Sequence, residues 1–285
     1  MSVVYLFLPA LAWGILPLVI SRVGGRPVNQ IFGTAVGTLI AGLIVLIALH
    51  PQINWLTALA AALAGAFWII GQLGQYTGYQ RIGVAKTMPI STGLQLIGTS
   101  LIGVLLFGEW PTTINRVIGA LGVLLLILGV ILTSIKSANP QTKTAKNYGT
   151  LVMLIGTTLG YLIYNTIPRA LDSSGLAIFL PESVGMLLAV LLYLLVTKQT
   201  SVLRERSSWL NIFGGLIFSI AAISYIISVR TYGVNTAFIV SQLSVMISTI
   251  GGMVFLHERK QGRELIYTIA GLVLIVAGAL VTTFA

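Results

Sequence analysis

Trp68, Gln72, Gln75 and Tyr79 recur at i, i+4, i+7 and i+11, so a helix through them presents an indole, two carboxamides and a phenol along one side. Carboxamides both donate and accept, and an indole face stacks against CH groups, which together suit a neutral polyhydroxylated ligand. A second stripe follows, with Met88, Ser91 or Thr92, Gln95 and Thr99 at helical spacing and Pro89 among them. Proline removes one backbone donor and frees the carbonyl four residues earlier, here expected to face a cavity. Tyr161, Tyr164, Asn165 and Pro168 form a third set at i, i+3, i+4 and i+7. Each stripe has a plainer alternative, which is polar glue between helices with no ligand at all.

The surroundings of these stripes are almost wholly apolar. Hydrophobic residues make up 56% of the 285-residue chain, charged residues 8%, and mean hydropathy is +0.99. That leaves too little polar surface for a water-soluble chain, so an all-α integral membrane protein is expected. Ten apolar runs, at about 3–21, 30–49, 56–77, 84–107, 114–135, 149–168, 176–197, 209–230, 235–256 and 264–284, each have the roughly 20 residues that cross a 30 Å hydrocarbon core. In hydrocarbon the carboxamide stripes must look at other helices or a wet cavity. The chain has no cysteine, and no spacing of His, Asp or Glu suggests a metal, a catalytic triad or a phosphate loop. No cofactor is expected. The net charge of +10 is spread singly or in small groups between apolar runs, as orientation signals are, which argues against nucleic acid.

The chain also repeats itself. The segment from Gly83 to Thr133 returns from Gly233, with Glu109, Gly122, Gly129 and Thr133 matching Glu258, Gly271, Gly278 and Thr282 at an offset of 149. Residues 1–135 are read as a first five-helix repeat, 136–148 as a linker and 149–285 as a second repeat. Five spans per half inverts the second half, giving ten transmembrane helices as two inverted five-helix repeats. Of 16 Lys and Arg, only Arg116, Arg169 and Arg230 lie on the side of the even-numbered loops. The positive-inside rule therefore puts the odd loops and the linker in the cytoplasm and both termini outside.

The second copies of the stripes are unequal to the first. At an offset of 150, Trp68, Gln72, Gln75 and Tyr79 become Phe218, Ala222, Tyr225 and Val229; Ser241 and Gln242 persist, but Ile239 stands where Pro89 does. Trp13 sits between Pro9 and Pro17 in span one. Asn29 and Gln30 either cap span two at the membrane surface or reach into the cavity. Glu182, after Pro181, is the one acid well inside an apolar run, and either couples transport to protons or pairs with a basic residue.

LPALAWG at 8–14, GGRPVNQIFGT at 24–34, FWIIGQLGQYTGYQRIGVAKTMPISTGLQL at 67–96 and the Gly108–Glu109 corner resemble the glucose/ribose porter family of the drug/metabolite transporter superfamily. The resemblance covers essentially the whole chain. It implies a sugar site near the midplane and import of a monosaccharide, glucose or ribose, across the bacterial cytoplasmic membrane without phosphorylation, with protons as the coupling ion. Placement in this sequence makes Trp13, Asn29, Gln30, Trp68, Gln72, Gln75, Tyr79, Ser91, Gln95, Tyr161, Asn165, Tyr225 and Gln242 the candidate sugar contacts, and Glu182 the candidate proton carrier. Expected partners are the sugar, protons, the bilayer and a second copy in a homodimer. The rival expectation is an exporter of small metabolites or lipophilic cations, for which a cavity acid such as Glu182 would matter more than paired carboxamides.

Overall fold

The computed structural model describes residues 3–135, 144–170, 175–258 and 260–285, the side chains of 144–147, 168, 169, 234 and 235 excepted. Most of the expected linker lies outside them. Every regular element among the described residues is helical, and ten helices are long and apolar enough to span a membrane. They run Val4–Val23, Pro27–Leu49, Trp55–Ile82, Val84–Phe107, Thr113–Ser134, Tyr148–Ile167, Gly175–Val196, Arg206–Tyr232, Thr236–Phe255 and Arg263–Thr283, and are called spans one to ten.

Local chemistry sets the boundaries. Asn54 Oδ1 accepts the Thr57 amide at 2.8 Å and starts span three; Thr112 does the same for Asn115 at 3.1 Å and starts span five. Span three continues to Ile82, five residues beyond the apolar run, because its polar stripe is buried rather than a surface end. Gly83 then turns the chain at φ 85°, ψ 163°, and Gly233 turns it at φ 84°, ψ 159° between spans eight and nine. Span four is helical straight through Pro89. The irregularity falls in span nine, where Gln242 separates Val234–Ser241 from Leu243–Phe255 and the Val245 amide bonds the Gln242 carbonyl in a tighter turn.

Two prolines inside the spans, Pro9 and Pro89, leave carbonyls that find partners from the other half of the chain. The Tyr5 carbonyl, freed by Pro9, accepts from Ser228 Oγ of span eight. The Ala85 carbonyl, freed by Pro89, accepts from Lys260 Nζ at 3.4 Å, so it faces a lysine and not a cavity.

Small residues set the packing. Spans five and ten lie along one another. A Cβ at Gly129 would fall 2.8 Å from the Gly271 carbonyl oxygen, one at Gly271 2.7 Å from that of Gly129, and Gly122 and Gly278 face each other in the same way. The 149 offset, which matches Gly122 to Gly271 and Gly129 to Gly278, carries one of these two contacts onto the other. Span three lies against spans six and seven, as span eight lies against one and two. Gly71 seats the Tyr161 ring, Gly74 seats Thr157, and Gly65 and Gly185 let spans three and seven touch backbone to backbone. Gly185→Ala would put its new carbon onto the Ala62 carbonyl, so we expect a loss of about 1–3 kcal/mol, read as an earlier thermal melt in detergent. An unchanged melt would show that spans three and seven tolerate separation.

Candidate functional site

The two carboxamides of span three are the centre of a buried network. Gln72 Nε2 donates to Gln75 Oε1 at 3.1 Å, and Gln75 Nε2 donates to Ser91 Oγ of span four at 3.0 Å. Tyr161 of span six donates across the pair, 2.8 Å from Gln72 Oε1 and 3.0 Å from Gln75 Oε1. Gln95 Nε2 reaches the same Ser91 hydroxyl at 3.3 Å. Three helices thus converge on five polar side chains, of which only Gln95 is more than marginally exposed.

Aromatic pairs adjoin this network. Trp68, one turn before Gln72, is 1% exposed and tilts against Phe218 of span eight with ring centroids 5.2 Å apart. Trp13 and Tyr225 form a second pair at 5.5 Å. Trp68, Phe218, Tyr76, Tyr79 and Tyr161 belong to one contiguous core, with Trp13 and Tyr164 packed against it. Tyr79 spends its hydroxyl on Met88 Sδ at 2.9 Å, and Tyr76 shares a 2.9 Å bond with Thr34 of span two.

Glu182 is 5% exposed, and Tyr164 OH donates to its Oε2 at 3.3 Å. Among the described residues no basic group lies within ion-pair distance of it. A carboxyl buried beside a phenol, with no countercharge among the described residues, is a group whose proton occupancy matters.

Other candidates lie elsewhere. Asn29 is wholly spent at the start of span two: its Oδ1 accepts from the Arg26 amide at 2.8 Å, and its Nδ2 donates to Glu205 Oε2 and Ser208 Oγ, both at 2.8 Å. Gln30 Nε2 turns to the Ile20 carbonyl at 3.3 Å, in the same corner. Asn165 lies on an exposed side of span six. Gln242 folds back toward the Phe238 carbonyl and Ser241 at 3.4 Å, at the irregularity in span nine. Tyr164 and Phe218 complete the arrangement without having been singled out as contacts. Tyr164 shared the spacing of Tyr161, and Phe218 is the repeat counterpart of Trp68.

Glu205 collects Arg26 Nη2 at 2.5 Å, Asn29 and Ser201 Oγ at 3.4 Å. The Asn29 bond is the largest influence and lowers its carboxyl below the ordinary carboxylate value; desolvation opposes it, and the Arg26 charge and the Arg26 and Ser201 bonds add to the lowering. A depressed carboxyl pKa means this contact stays charged through the neutral range and weakens only in acid.

Ten spans around a buried, mutually bonded polar network define a multi-pass membrane protein. The chain matches the sugar transport protein family over residues 4–285 and belongs to it. A Lactobacillus johnsonii protein named for sugar uptake is 49% identical, covering 99% of both chains. The Staphylococcus xylosus glucose uptake protein GlcU is 39% identical over 98% of this chain and 96% of its own. A Staphylococcus epidermidis protein named for ribose uptake, RbsU, is 38% identical over 97% and 96%. A crystal structure with 18% identity superposes with a TM-score of 0.63 over 99% of this chain and 96% of its own, a likeness of fold.

Proposed function

We propose that this chain imports a monosaccharide, glucose or ribose, across the bacterial cytoplasmic membrane by alternating access, with Glu182 carrying a coupling proton. The observation that carries this reading is the Gln72–Gln75–Tyr161–Ser91 network beside the Trp68–Phe218 pair. Amides and hydroxyls that bond one another can exchange those bonds for sugar hydroxyls, while the indole face accepts the CH side of the ring. Binding built from neutral contacts is also weak enough to release the sugar inside.

The alternating cycle in this reading uses two inverted five-helix repeats, supported by the reciprocal contact of spans five and ten and by the matching turns at Gly83 and Gly233. The odd loops and linker are assigned to the cytoplasm and both termini to the outside by the basic residues. The buried Glu182 also favours a second reading, export of small metabolites or lipophilic cations.

Uptake of labelled glucose and ribose into proteoliposomes decides between them. Saturable entry of one sugar, competed by the unlabelled form, supports import. A folded protein that moves neither sugar but is thermally stabilised by quaternary amines would put the exporter first.

A further inference from the structure

The duplicated corner around Glu109 and Glu258 plays no part in the sugar site, yet Glu258 ties the second half of the chain to the first. Its carboxylate accepts two backbone amides at the start of span four, Val84 N on Oε1 and Ala85 N on Oε2, each at 2.7 Å. The turn at Gly83 presents both amides, and the helix dipole there favours an anion. The next carbonyl on this turn, freed by Pro89, is taken by Lys260 of the same corner. A second carboxylate of the same half, Glu205, holds Arg26 and Asn29 of the first half. Arg26, Gly83, Glu205 and the Glu258 corner occupy the loops after spans one, three, seven and nine, so both contacts lie on one face of the membrane.

We propose that Glu258, assisted by Glu205, is a gating residue that holds the odd-loop face shut between the halves and releases span four when that face opens. The proposal rests on the alternating-access reading above. A carboxylate spanning two N–H groups makes a tie that is strong when aligned and lost at once when the helix end moves away. Burial draws the Lys260 ammonium below the ordinary lysine value, with the Glu264 and Glu258 charges opposing, so the clamp around Ala85 is desolvated while closed. Thr87, wholly buried just beneath it with an unbonded hydroxyl, lies on the path that opening would wet.

The chain has no cysteine, so single reporters can be read without background. Thr87→Cys marks the latched end of span four. Thr99→Cys, roughly 18 Å further along the same helix, marks the opposite end. Both are labelled with a membrane-impermeant maleimide in detergent, in the absence of sugar, alone and combined with Glu258→Gln. A glutamine keeps the shape but loses the charge and one acceptor, so Thr87→Cys should react about five- to tenfold faster and Thr99→Cys more slowly. Adding Glu205→Gln should enlarge both changes.

Unchanged labelling of Thr87→Cys overturns the latch. So does acceleration at both reporters together, which would mean that Glu258 merely stabilises the fold. Because no sugar is present, failure of the sugar reading appears separately, as absent uptake by the unsubstituted chain; normal uptake with unchanged labelling sinks the latch alone.

Discussion

Replacing Gln75 with leucine is expected to cut sugar uptake by about 10- to 100-fold per folded molecule, since each buried polar partner left unpaired costs about 1–3 kcal/mol. Gln75 is the one member of the network that accepts from two partners, Gln72 and Tyr161, and donates to a third, Ser91. Leucine fills the space and removes all three bonds. Tyr161 can still reach Gln72 and Tyr79 can still reach Met88, so the helices stay together while spans three and four lose the link from Gln75 to Ser91. The comparison should be made as saturable uptake in proteoliposomes, on protein that passes size exclusion as a single species, together with the sugar-induced shift in melting temperature. Uptake and shift both equal to the unsubstituted chain would mean that the carboxamides hold helices and never meet the sugar.

The second large effect is expected at Glu182. With one proton carried per sugar, a gradient of one pH unit is worth about 1.36 kcal/mol, or roughly tenfold accumulation. Glu182→Gln keeps the size of the side chain, and its amide oxygen can still accept from Tyr164, but it cannot exchange a proton. The variant should therefore equilibrate labelled sugar across the vesicle membrane and fail to concentrate it, whatever the gradient. Concentration by the variant equal to that of the native chain would remove Glu182 from coupling and leave it a structural group between spans six and seven.

The amide stripe was legible because burial of polar side chains in an apolar chain leaves few options, and i, i+4, i+7 spacing fixes one helical face. The same reasoning did not separate Asn165 from Tyr161. Thr157, Gly160, Tyr161 and Tyr164 turn toward spans three and seven, and at about 100° per residue Asn165 sits roughly 90° from the centre of that face. Composition alone weighed Asn165 with Tyr161 because the neighbouring helices that choose the face are not local information. Asn29 and Gln30 were ambiguous for a related reason: capping residues look the same whether a helix begins at the surface or at a cavity, and Glu205, 176 residues away from Asn29, decided it. The irregularity at Gln242 carries no proline or glycine and left no local signal. Pro89 did leave one, and the carbonyl it frees was predicted, but not the lysine that finds it.

The bonds within the amide network have a kinetic meaning for the unloaded protein. A carrier that performs net uptake must make its return stroke empty, and a site with naked amides would need to drag water through the bilayer or pay for drying them. Here Gln72, Gln75, Tyr161 and Ser91 already serve as one another's solvent. On the proposed alternating-access cycle these bonds let the carrier reset without an outgoing passenger, which is the property that separates net uptake from one-for-one exchange.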